Sequence, residues 1–190
     1  MINEWRSEID MMRLLARLAI VLVLGGLTAA CFQPLYGSNS NSVDDSVRDK
    51  FAAIEIADID GRKGTPAERL AVALRNELMF DLNGGTQPVS PIYRLNVTGL
   101  SAGATTVIID VTGRPDQQLE MAQASFSLTE IETKKGIFGD YTFANASFDA
   151  PASGQRFARQ RGQRDAEDRA LKLLAENIRN RLASYFVAGT

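Results

Sequence analysis

Ala122-Gln123-Ala124-Ser125-Phe126-Ser127-Leu128-Thr129 decides the architecture of this chain. Apolar and polar side chains alternate strictly, and a period of two marks a strand with one dry and one wet face. Tyr93, Leu95 and Val97 alternate in the same way with Arg94, Asn96 and Thr98, and Val107, Ile109 and Val111 with Ile108, Asp110 and Thr112. Tyr141 and Phe143 begin a further strand after the turn Lys134-Lys135-Gly136. The expected connections are Gly99-Leu100-Ser101-Ala102-Gly103 and Gly113-Arg114-Pro115-Asp116. From Ile92 to about Phe148 the pattern is thus an antiparallel meander with one solvated face.

Upstream of the meander the period changes to that of a helix. Thr65-Pro66-Ala67-Glu68 combines a cap residue, a proline suited to the first helical position and a glutamate at the capping-box position. Ala67, Leu70, Ala71, Leu74, Leu78 and Leu82 then recur every three or four residues as one apolar face, and Gly84-Gly85 supplies a left-handed stop. Before it, Phe51 to Ile59 alternates as a first strand, with Ile54 and Ile56 on its dry side. Downstream, about Asp165 to Phe186 forms a long amphipathic helix with the stripe Leu171, Leu174, Ile178, Leu182 and Tyr185. Asp165 with Arg169 and Asp168 with Lys172 place acid before base four residues apart, while Arg179 and Arg181 suit the C-terminal dipole. The predicted fold is a two-layer α+β sandwich, a four-stranded, mostly antiparallel sheet packed against two helices in the order β-α-β-β-β-α.

The N-terminal segment is of another kind. Arg13 and Arg17 precede an apolar run from Leu18 to Leu27, followed by Thr28-Ala29-Ala30-Cys31. The run is too short to span a bilayer and ends in small residues, the layout of an export signal over residues 1–30. Leu27-Thr28-Ala29-Ala30-Cys31 is similar to a lipobox, in which the cysteine thiol is acylated and becomes the new N-terminus. The usual leucine three places before the cysteine is here Thr28. Glu4, Glu8 and Asp10 are foreign to a basic leader, and translation from Met11 or Met12 would leave them out. The polar stretch after Cys31, above all residues 38–50, reads as a tether between a lipid anchor (residues 31–50) and one folded domain (51–190).

Composition narrows the chemistry. The chain of 190 residues contains no histidine and one cysteine, Cys31, so histidine-based catalysis and a thiolate metal site both lack their groups. Its formal net charge of −2 argues against general nucleic-acid binding. No phosphate- or dinucleotide-binding glycine motif occurs, and the acids form no cluster that reads as a catalytic pair. A non-enzymatic protein without cofactor or bound metal is the expectation, apart from the covalent lipid on Cys31.

Cys31-Phe32-Gln33-Pro34-Leu35-Tyr36-Gly37 resembles the mature start of lipopolysaccharide-assembly lipoproteins of the LptE family, in particular their alphaproteobacterial type. The likeness continues through Leu70, Leu74, Arg75, Asn76 and Leu78, then the run Asp165-Ala166-Glu167-Asp168-Arg169-Ala170, and Ile178 to Leu182. Many members carry glycine directly after the cysteine, where this chain has Phe32. The resemblance implies a lipoprotein of the outer membrane, on its periplasmic face, that sits as a plug in the lumen of the LptD β-barrel. It also implies help in assembling that barrel and in delivering lipopolysaccharide to the cell surface. Phe32 in place of aspartate fits onward sorting to the outer membrane.

Two groups of basic residues are candidate contacts with lipopolysaccharide or the barrel. Arg156, Arg159, Arg161 and Arg164 fall within nine residues that hold no acid, and guanidinium forks suit phosphates. A solvated loop ahead of the last helix, or a segment whose charges spread over several faces, is the competing reading. Lys134 and Lys135 at a hairpin tip, with Arg94 and Arg114 near strand ends, form the second group, against which stands the reading of solubilising turn residues. Phe138, Tyr141 and Phe143 could face a lipid or the barrel, though strand spacing favours the core for Tyr141 and Phe143. The alternative function is an envelope lipoprotein scaffold or transport-complex accessory subunit that does not bind lipopolysaccharide.

Overall fold

The computed structural model describes residues 42–109, 111, 115–149 and 156–188, without the side chains of 42–46, 106–109, 115 and 116. The elements run α1 (Ser42–Ala52), β1 (Ile54–Ile56), α2 (Pro66–Asn83), β2 (Tyr93–Ile109), β3 (Pro115–Glu130), β4 (Gly136–Asp149) and α3 (Arg156–Ala188). The sheet order is β1-β2-β3-β4, with β1 parallel to β2 and the other pairs antiparallel. This is the expected α+β sandwich. The period of two does what it must: Ala122, Ala124, Phe126 and Leu128 of β3 and Leu95 and Val97 of β2 point to the helices and are buried. Leu70, Ala71, Leu74, Leu78 and Leu82 of α2, with Leu171, Leu174, Ile178 and Leu182 of α3, close the core from the other side. Ala67 is exposed and leaves the apolar face to begin at Leu70.

The ends of α2 follow the sequence signals with one exchange of partners. Thr65 has the extended backbone of a cap residue, yet its hydroxyl donates to the Arg62 carbonyl instead of accepting from the helix. Glu68 still reaches back, but to the N–H of Gly64 (2.7 Å). At the other end Gly84 takes φ +66°, and the N–H groups of Gly84 and Gly85 donate to the carbonyls of Phe80 and Met79. The bond from Gly84 to Phe80 is the 5→1 closure of an αL cap, and its left-handed residue suits glycine.

The structure corrects three expected boundaries. Residues 42–50, part of the expected tether, belong to α1, whose Val47 and Phe51 are buried four residues apart. Two apolar positions in an otherwise polar run carry too little periodicity to show a helix. The first strand shrinks accordingly to Ile54–Ile56, since Phe51 and Ala52 end α1; Ile59 is buried beyond it. Gly99-Leu100-Ser101-Ala102-Gly103 is not a connection. Gly99, at φ +63°, lets a bulge between Thr98 and Ser101 absorb one extra residue, and the two expected strand segments on either side are one continuous β2, so that the five segments read from the sequence make four strands.

The last helix also begins earlier than expected, at Arg156, so the arginine-rich segment is helical and the loop reading does not hold. Apolar periodicity only starts at Ala166, the first residue of α3 to be fully buried. The leader, Cys31 and residues 32–41 lie outside the described residues, as does Arg114. Among the described residues no helix is long and apolar enough to cross a membrane.

Candidate functional site

The direction of α3 across the sheet sorts the basic candidates. Tyr185 near its C-terminus stacks on Phe138 at 4.8 Å, and Phe186 packs on Tyr93 and Phe51 at 5.5 and 6.0 Å. Near its N-terminus, Gly162 lies against Phe148 and the Gln163 amide donates to Glu120 (3.4 Å). Phe138 and Phe148 are ten residues apart on β4, roughly 33 Å of extended strand. Lys134, Lys135 and Arg94 therefore sit at one end of the sandwich and the α3 arginines at the other. The sequence candidates do not converge on a single site.

At the first end the β3–β4 turn is built by its own side chains. Lys134 takes φ +56°, the N–H of Glu130 donates to the Lys135 carbonyl, and the Thr133 hydroxyl donates to Glu130 (2.6 Å). Both lysines are exposed and project from a tip whose backbone is fixed. Arg94 is one residue inside this end and is spent locally. It pairs with Glu55, its register partner on β1, at 3.0 Å. Of the described members of this group, the lysines carry the charge outside any ion pair.

At the other end, Arg156, Arg161 and Arg164 are exposed on α3, and Arg159 is half-buried. Below them the helix is bound to the body by charge. Arg69 of α2 forms ion pairs with Glu167 and with Asp168 (3.0 Å). Asp165 pairs with Arg169 at the expected spacing, and Arg169 also donates to the Ser147 carbonyl. Behind this layer lies Glu120, only 2% exposed on the core side of β3. Burial foremost, and the negative charge of Glu167 next, push its carboxyl above the ordinary value of 4.5. Gln163 and Arg69 work the other way. An isolated glutamate in a strand gives no sequence sign of this burial, because its partners come from two distant helices.

The open face of the sheet corrects a further expectation. Thr142, Ala144, Ala146 and Phe148 face the helices, so Tyr141 and Phe143 stand on the opposite face, 48% and 51% exposed. Alternation alone cannot choose between the two faces of β4; the smaller residues won the core because α3 packs closely over them. With Met121, register neighbour of Asn145 beside Phe143, they form an apolar strip among serine, threonine and glutamine side chains. The Tyr141 hydroxyl donates to Gln123 across the strands (2.7 Å). Phe138, by contrast, packs against the core.

The sequence matches no family model and no curated protein. The fold does have relatives among solved structures. A lipoprotein of Caulobacter crescentus superposes with a TM-score of 0.58 at 18% identity, over 77% of this chain and 98% of that one. Rare lipoprotein B of Shewanella oneidensis gives 0.51 at 14% identity, over 72% and 96% of the two chains. Lipoprotein B of Nitrosomonas europaea gives 0.52 at 9% identity, over 72% and 84%. The chain has the fold of these lipoproteins.

Proposed function

We propose that this chain is a lipid-anchored envelope protein of the LptE type, held by acyl chains on Cys31 at the periplasmic face of the outer membrane. There it plugs the LptD-type β-barrel and assists lipopolysaccharide transport through it. The observation that carries the reading is the joint presence of a lipobox-like Leu27–Cys31 and a domain folded like lipoproteins of three other bacteria. Two or more acyl chains, each contributing about 0.8 kcal/mol per buried methylene, anchor stably where one does not. In this reading the exposed Lys134 and Lys135 are the contacts for lipopolysaccharide phosphates. The apolar strip of Tyr141, Phe143 and Met121 supports the docking of the open sheet face against a barrel wall. The domain acts by binding and positioning, without catalysis, cofactor or metal.

Affinity purification of the tagged, acylated protein from outer membranes, followed by mass spectrometry, tests the proposal. A large β-barrel of the lipopolysaccharide translocon is expected in stoichiometric amount. Recovery of other envelope proteins without that barrel would replace the plug by a scaffold or transport-complex subunit.

A further inference from the structure

The first turns of α3 carry a feature that neither the fold nor the plug reading uses. Phe157 is 84% exposed, although it is a large apolar side chain on a helix. Arg161 and Arg164 follow at i+4 and i+7, so the three share one stripe, with Arg156 beside it. The stripe faces away from the body, because Gly162 and Ala166 occupy the side that meets β4 and the core. The acids that could neutralise it are engaged elsewhere. Asp165, four residues after Arg161, pairs with Arg169; Asp168, four after Arg164, pairs with Arg69 of α2. Among the described residues Arg156, Arg161 and Arg164 have no ion-pair partner. Three unpaired guanidinium groups around one exposed aromatic ring stand out in a chain of net charge −2.

We infer that this stripe is a docking surface for an anionic phospholipid bilayer, with Phe157 entering the headgroup layer and the three arginines on lipid phosphates. Charge and shape both select that occupant. An aromatic ring amid arginines matches an interface that is apolar below and negative above, and each cation near such a surface adds to the attraction. The inference rests on the reading of the chain as membrane-anchored. The lipid on Cys31 would hold the protein at the bilayer, and the stripe would set how the domain is oriented there.

The test uses the mature protein acylated on Cys31 and reconstituted into vesicles, carrying Phe157→Trp; Trp5 leaves with the leader, so position 157 holds its one tryptophan. Flotation with phosphatidylcholine vesicles reports the anchor alone. Tryptophan emission reports the stripe. In vesicles containing phosphatidylglycerol a blue-shifted emission, quenched by brominated acyl chains, is expected, and it is lost at high salt. Adding Arg156→Glu and Arg161→Glu is expected to lower the docked-to-free ratio by at least about fivefold per residue, with helix content by circular dichroism unchanged. Anchored protein whose emission is the same in both vesicle types overturns the stripe and leaves the anchor intact. Emission that shifts only when lipopolysaccharide replaces phosphatidylglycerol also overturns it. Protein that fails to float with phosphatidylcholine overturns the anchor, while salt-sensitive emission on phosphatidylglycerol still decides the stripe.

Discussion

Glu120 is the residue whose chemistry departs furthest from its place in the sequence. Its register neighbours are Ala104 on β2 and Ala146 on β4, so small side chains flank it in the sheet. Above it α3 presents Gln163 and Glu167, and α2 presents Arg69. Burial and the nearby Glu167 favour its neutral form, against the weaker pull of Gln163 and Arg69. The folded state thus holds this proton more tightly than the unfolded chain does. Its contribution is most favourable below the ordinary value of 4.5 and is lost as pH rises through the higher folded value. Glu120→Gln keeps the shape and the contact with Gln163 while removing the charge. Its Tm is expected to exceed that of the parent at pH 7, the gap closing toward pH 4. A variant less stable than the parent at pH 7 would show that ionised Glu120 is held by Arg69 after all.

At the scale of elements, β4 poses the problem of a long strand at the rim of a sheet, whose outward N–H and C=O groups invite another strand. The helix above it supplies the answer. The Phe143 carbonyl accepts from the Asn177 side chain (3.0 Å), and the Ser147 carbonyl accepts from Arg169 (2.9 Å). The Tyr141 N–H donates to the Asp140 carboxylate, which is itself paired with Arg181. That N–H and the arginine hold the Asp140 carboxyl below its ordinary value. Residues 141, 143 and 147 alternate to the same rim, so α3 side chains occupy positions a partner strand would need. Asn177→Ala combined with Arg169→Ala frees two carbonyls at exposed or half-buried positions and leaves the core untouched. The double variant is expected to self-associate more than the parent at equal concentration in sedimentation velocity runs. Unchanged sedimentation would mean that twist and the apolar neighbours, not these hydrogen bonds, protect the rim.

At the scale of the whole molecule, strong local signals were legible and tertiary ones were not. The alternation of Ala122–Thr129 fixed β3, and the cap and stop residues of α2 placed its ends within a residue. Gly99 looked like a turn because glycine permits both a turn and a bulge, and only pairing with β3 distinguishes them. Of the candidate site, the exposure of Lys134 and Lys135 followed from the turn, but the 33-residue length of α3 did not, because its first turns touch little of the core. The same lack of periodicity hid α1, and here the two readings make opposite demands. A tether contributes nothing to stability, so its side chains are replaceable. In the structure Phe51 is 5% exposed and meets Phe186 edge-on, Phe186 packs on Tyr93 and Tyr185, and the Lys50 ammonium lies 5.1 Å from the Phe186 ring. This aromatic cluster joins α1 to β2 and α3, at the end of the sandwich that carries Lys134 and Lys135. Phe51→Ala removes one ring from it and is expected to cost about 3–5 kcal/mol in urea unfolding, as for other buried phenylalanines. Arg48→Ala, an exposed change on the same helix, is expected to stay within about 0.5 kcal/mol of the parent. Equal, small effects of the two would return residues 42–52 to the tether; a large gap makes α1 part of the folded domain.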